Sequence, residues 1–165
     1  MKKMANDDKL QQAQLVYKTL CKTFDDREWT YSKDDDNLAI ITSVSGDDLP
    51  MPIGMFVESE KQLISLYSEM PFSVPEQARA NMAIAICIIN NSLADGCFDF
   101  DYFSGRICFR LTTSFRDSLI SNELLDFMIS FACYTVDTFN DKLLLIQKTT
   151  DLTPEQVAKF LGVKE

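Results

Sequence analysis

Residues 73–112 read SVPEQARANMAIAICIINNSLADGCFDFDYFSGRICFRLT, and three separate codes meet in them: a helix start, a helix stop and a strand register. Ser73 and Glu76 have the spacing of a capping box, and Pro75 falls in the first turn, where its missing N–H is harmless. That spacing predicts a helix from Ser73 onward. The run Met82-Ala83-Ile84-Ala85-Ile86-Cys87-Ile88-Ile89 is apolar on every side, which predicts a buried helix. Gly96 stands where a left-handed C-cap would end it. Beyond it Phe98, Phe100 and Tyr102 alternate with Asp99 and Asp101, and after Ser104-Gly105 the alternation resumes in Ile107, Phe109 and Leu111. A two-residue turn would set Phe100 opposite Phe109 and Asp99 opposite Arg110.

The same reading extends outward in both directions. Leu10, Ala13, Tyr17, Leu20, Cys21 and Phe24 recur at helical spacing within 8–24. Ser32 to Asn37 is too polar for a core strand, so the first strand is expected near Leu38. Leu38–Val44, Met51–Val57 and Leu63–Tyr67 read as a three-strand meander joined by short polar loops. After the hairpin, Leu124, Leu125, Met128, Phe131, Ala132, Thr135, Val136, Phe139, Leu143 and Ile146 predict one long helix over 122–148, with a possible bend at 137–141. Thr153-Pro154-Glu155-Gln156 is a second capping signature, opening a short helix over about 153–162 that offers Val157, Phe160 and Leu161. The expected order is α-β-β-β-α-β-β-α-α, an α+β fold with an antiparallel sheet of about five strands. At 165 residues, with no repeat or linker, a single domain spanning 1–165 is expected, its core at about 8–148.

Composition narrows the chemistry. Hydrophobic content of 46% with 25% charged residues is that of an ordinary globular chain, and no apolar run reaches the roughly 18 residues needed to cross a bilayer. Met1-Lys2-Lys3-Met4 is followed by Asn6-Asp7-Asp8 rather than by an apolar h-region, so a cytoplasmic location is expected. The net charge is -9, with no Lys or Arg between Asp34 and Glu60 or between Asp117 and Asp141, which disfavours nucleic acid as a partner. The chain contains no histidine, which removes Ser-His and Cys-His dyads and His-ligated zinc. Neither CxxC, GxxxxGK[ST] nor GxGxxG occurs. No cofactor and no metal are therefore expected. The five cysteines, Cys21, Cys87, Cys97, Cys108 and Cys133, read as buried free thiols.

Four features invite a functional reading. Asp34-Asp35-Asp36-Asn37 is acidic enough for calcium, but the sixth and twelfth positions of an EF-hand loop counted from Asp34 hold Ala39 and Ser45, so a solvated loop is expected. Asp99 and Asp101 share one strand face and could act as an acid/base pair; Arg106 and Arg110 on the partner strand favour a charge ladder instead. An Asn-x-Ser sequon at Asn90 falls within the helix. The long helix would span about 40 Å, more than a small sheet needs. Phe127, Ile129, Tyr134, Leu144 and Leu145 fall away from its main stripe, which suggests a partner, most simply a second copy of the chain.

Asn91-Ser92-Leu93, Gly96-Cys97-Phe98-Asp99-Phe100-Asp101, Gly105-Arg106-Ile107-Cys108-Phe109-Arg110 and Thr135-Val136-Asp137 together resemble the YbjN-type family of candidate bacterial sensory-transduction regulators. The resemblance covers most of the chain and implies the fold of the type III secretion chaperones. It also implies a non-enzymatic role in binding or regulation, and it brings no active-site residues. The expected function is a chaperone-like or regulatory adaptor that binds a protein or itself as a homodimer. Phe127, Tyr134, Leu144, Asp99 and Arg110 are the candidate partner-facing residues. The alternatives are a small-ligand sensor, or an enzyme using Asp99 and Asp101.

Overall fold

The computed structural model describes residues 6–162; the basic stretch Met1-Lys2-Lys3-Met4 lies outside them. Among the described residues the order is α1 (Asn6–Asp26), β1 (Ser32–Asp34), β2 (Ala39–Ser45), β3 (Pro50–Glu58), β4 (Leu63–Ser73), α2 (Arg79–Ser92), β5 (Cys97–Asp101), β6 (Arg106–Ser114), α3 (Asn122–Gln147) and α4 (Pro154–Leu161). The fold is α+β. The strands form one antiparallel sheet in the order β1-β2-β3-β4-β6-β5, six strands rather than about five. The added strand, β1, is exposed at every residue and carries no apolar alternation. It is held by its backbone ladder to β2, and a short polar edge of this kind resists further pairing.

One face of the sheet is covered by the helices. Ile40, Met51, Ile53, Met55, Ile64, Leu66, Phe98, Ile107, Phe109 and Leu111 are buried there, in one cluster with the inner stripes of the four helices. α3 runs without interruption, with Ser121 as its N-cap: the hydroxyl accepts from Leu124 N–H at 3.2 Å. α4 opens on the expected capping box, Thr153 N–H to Gln156 Oε1 at 2.8 Å and Gln156 N–H to Thr153 Oγ1 at 3.3 Å. It buries Val157 and Leu161 and leaves Phe160 exposed.

The helical part of the stretch, 73–96, departs from its code in three places. β4 continues past Tyr67 through Met70 and Phe72 to Ser73, with a register irregularity between Glu69 and Ser73. Ser73 is therefore a strand residue and caps nothing; a 3-10 turn, Glu76–Ala78, begins after Pro75 and leads into α2 without a side-chain cap. α2 ends at an extended Leu93, so Gly96 is not its C-cap. Gly96 does adopt φ +67, but in the link to β5, where a Cβ would stand 2.5 Å from the Phe109 ring. Third, α2 is not buried all round: Ala83 and Cys87 face out. None of the five cysteines is fully buried; all are free, Cys87 exposed and the others half-buried. Cys97 and Cys108 alternate onto the side of the sheet opposite the core residues Phe98 and Phe109, and Cys87 lies on the outer side of α2.

Two asparagines of α2 act as backbone mimics. Asn90 Oδ1 accepts from Phe98 N–H at 2.8 Å and its Nδ2 donates to Phe98 C=O at 2.9 Å, which satisfies both outward groups of that residue on the β5 edge. The sequon residue thus has a structural task. The Asn81 carboxamide stands 3.3 Å from both Leu152 N and Leu152 O and, with its amide turned to match them, bonds that backbone in the same way.

Candidate functional site

No described helix covers the other face of the sheet. Its register aligns one residue from each strand in a single rung, Ser32, Ile41, Gly54, Tyr67, Arg110 and Cys97. Period-two alternation puts Pro52, Phe56, Glu69, Cys108 and Asp99 on the same face, because antiparallel partners share a side. Ile41 is 55% exposed and Phe56 36%. Gly54 makes room for the Phe56 ring, one atom of which lies 2.9 Å from where a Cβ would stand, and the ring meets Tyr67 edge-on at 5.9 Å. Ile41, Pro52, Phe56, Tyr67, Glu69 and Cys108 line a shallow depression of about 330 Å3. One half of the open face is therefore apolar and aromatic.

The other half is a charge ladder. Arg110 donates from Nε to Asp99 Oδ2 at 2.6 Å and from Nη2 to Asp99 Oδ1 at 3.1 Å, and also reaches Cys97 Sγ at 3.2 Å. Arg106 stands 3.9 Å from Glu69. The pairing of Asp99 with Arg110 follows a register different from the expected one. The connection is a four-residue loop, 102–105, so Phe98 lies opposite Phe109 and Asp99 opposite Cys108. Arg110 reaches Asp99 along the diagonal, a contact long side chains make.

The loop also explains Asp101, whose carboxylate accepts from Phe103 N–H, Ser104 N–H and Ser104 Oγ. This is an Asx-type turn constraint. Hydrogen bonds to Ser104 keep the Asp101 carboxyl below its ordinary value. The Arg110 guanidinium does the same for Asp99, against opposing desolvation. A general acid at neutral pH needs the opposite displacement. Burial pushes the Cys97 thiol up, and the Cys108 thiol up to about 11, so neither offers a ready thiolate.

The lowered Asp99 carboxyl has a pH consequence. A carboxyl held below its unfolded value of about 4 contributes stability above that value and loses it as pH falls through the folded one. Asp99 is half-exposed, so the contribution is screened. Asp99→Asn is expected to lower stability at pH 7 by no more than about 1 kcal/mol. The difference should shrink as the pH falls below the unfolded value, in denaturant titrations at a series of pH values.

The remaining sequence candidates lie elsewhere. Phe127 is 48% exposed and Tyr134 73%, both on the back of α3, away from the sheet. Phe127 stacks on Phe131 at 5.6 Å, and Leu145 continues the stripe. Leu144 sits half-buried on the flank and Ile129 is fully buried, so neither belongs to that surface. Four of the five candidates thus divide between two opposite faces of the molecule, Asp99 and Arg110 on the open sheet face and Phe127 and Tyr134 on the back of α3, and Leu144 lies on neither. Ile41, Phe56 and Tyr67 were missed by sequence reasoning, although an apolar residue on the polar side of each alternation was their available signal. Phe103, 90% exposed at the tip of the loop between β5 and β6, was also missed, because Tyr102 and Phe103 look like a continuing strand.

No family model and no curated protein matches this chain. Among solved structures, its fold is similar to that of YbjN from E. coli, a candidate transcription regulator: TM-score 0.54, 13% identity, covering 80% of this chain and 89% of that one. It is also similar to a chain of the HopA1–SchA chaperone–effector complex: TM-score 0.52, 16% identity, covering 78% of this chain and 96% of that one. At these identities the likeness is one of fold. No described helix is long and apolar enough to cross a membrane.

Proposed function

We propose that this chain is a single, non-enzymatic, cytoplasmic domain that binds a protein segment on the open face of its sheet, as a chaperone-like or regulatory adaptor. The observation that carries the reading is the uncovered apolar row Ile41, Pro52, Phe56 and Tyr67 beside the Arg110–Asp99 ladder. Apolar area of this kind supplies affinity, and the ladder beside it supplies register and selectivity. The likeness to a chain of a chaperone–effector complex supports a protein partner. The likeness to a regulator supports a signalling role exerted through protein contacts, since a net charge of -9 opposes direct contact with nucleic acid.

Phe56→Asp is expected to weaken capture of the native partner at least about tenfold, equivalent to 1.4 kcal/mol. Tyr134→Asp on the opposite face should leave capture unchanged. Quantitative affinity purification of the two variants beside the parent reads this directly, and equal recovery in all three would remove the open face from the account.

A second reading concerns self-association. Phe127, Phe131, Tyr134 and Leu145 recur on the solvent side of α3, and a second copy of the chain is the proposed cover. Light scattering on the purified protein is expected to give a dimer mass that Tyr134→Asp converts to monomer. A parent protein that stays monomeric at high concentration contradicts it.

A further inference from the structure

A second concavity lies away from the open sheet face, between α1 and the β1–β2 hairpin. It holds about 470 Å3, within the range of small-molecule sites. Gln14, Tyr17, Lys18, Cys21, Lys22 and Asp25 recur at three- and four-residue intervals along α1 and form one wall. Lys33, Asp35 and Leu38 form the other.

The hairpin wall is preformed. Asp34 accepts from Asn37 N–H at 3.1 Å and from Asn37 Nδ2 at 2.8 Å. Leu38 is held at φ +50, a left-handed conformation costly for a leucine, by a hydrogen bond from Val57 N–H to its carbonyl at 3.1 Å.

The charges in this groove are unequally occupied. Asp35 accepts from the Tyr17 hydroxyl at 2.8 Å, and Asp25 from the Tyr31 hydroxyl at 2.7 Å. Lys22 is taken by Asp26 at 2.6 Å. Lys18 and Lys33 make no ion pair with any described carboxylate; the Lys33 ammonium lies 5.3 Å above the Tyr31 ring. Two such cations on one groove stand out in a chain with 25 acidic and 16 basic residues. Tyr17, Leu38 and Cys21 line the same groove. Burial raises that thiol above its ordinary range, so it stays neutral and contributes apolar wall rather than negative charge.

We infer that the groove between α1 and the β1–β2 hairpin binds a small organic anion with an apolar body, its head held by Lys18 and Lys33 and its body packed on Tyr17, Cys21 and Leu38. A carboxylate, sulfonate or phosphate head meets the same requirement. The inference is independent of the protein-binding reading, since it concerns a different face and different residues.

Decanoate is a suitable probe, with decyltrimethylammonium as its cationic counterpart of equal chain length, followed in amide spectra of the isotope-labelled protein. Decanoate is expected to give saturable shifts confined to residues 14–25 and 31–38. The ammonium compound should give none there. Lys18→Ala combined with Lys33→Ala, both at exposed positions that fold does not depend on, should weaken decanoate at least about tenfold. Equal response to both amphiphiles, shifts centred on Phe56 and Tyr67, non-saturating shifts, or undiminished affinity in the double variant would each overturn the assignment.

Discussion

Phe98→Ala is expected to lower the unfolding free energy by about 3–5 kcal/mol. Phe98 is 1% exposed and lies where three elements meet: its ring contacts Phe109 of β6 at 5.1 Å and Phe139 of α3 at 6.1 Å, both edge-on. Its backbone is fixed by both polar atoms of Asn90 on α2, so the site has little freedom to collapse around a truncated side chain. The cavity and the lost ring pairs therefore add. Urea unfolding measures the effect as a fall in midpoint with unchanged slope. Phe103→Ala, at a 90% exposed ring, is the matched control and should stay within about 0.5 kcal/mol.

Gly105→Ala carries the second large effect. Gly105 has φ +77, its N–H donates to Asp101 C=O at 2.7 Å, and its carbonyl accepts from Val74 N–H at 2.8 Å. A Cβ there would lie 2.3 Å from the Val74 carbonyl oxygen and 3.0 Å from the Val74 nitrogen. These are backbone atoms and cannot rotate aside. Gly162, at φ +68 after α4, shares the left-handed backbone but has nothing within 4 Å of a Cβ. Gly162→Ala should then cost only the conformational penalty of about 1 kcal/mol, and Gly105→Ala about 2–4 kcal/mol in all. Equal costs would mean that the close approach of Val74 to the loop between β5 and β6 contributes nothing.

The contrast between these glycines shows where the sequence is readable. Gly105 and Gly96 both carry positive φ, and Ser104-Gly105 marks a turn from sequence alone. Turn length is another matter. Asp101 builds its own Asx turn, which makes the loop four residues long and moves the register by two. A shift of two preserves which side chains face inward, so Phe98, Ile107 and Phe109 remain core and the charge ladder survives as a diagonal. Ser73 and Glu76 illustrate a local code overridden by pairing: β4 gains ladder bonds by running on to Ser73, and those outweigh one cap. β1 was illegible because it buries nothing.

The candidate site was legible in its polar half only. Asp99 and Arg110 were visible as opposite charges on facing strands, whereas Ile41, Phe56 and Tyr67, each an apolar residue on the polar side of its own strand, are brought together only by the registers of three strands. Along α3 the helical angle separates neighbours that sequence had grouped, placing Tyr134 outside, Leu144 on the flank and Ile129 within.

Site-specific photo-crosslinking in the native cell tests the central claim most directly, with a photoreactive phenylalanine analogue placed in turn at Phe56, Ile41 and Tyr134. The account predicts one shared protein adduct from Phe56 and Ile41 on the open sheet face, and no adduct of that mass from Tyr134. An adduct of that protein from Tyr134 alone, with none from Phe56 or Ile41, would contradict it.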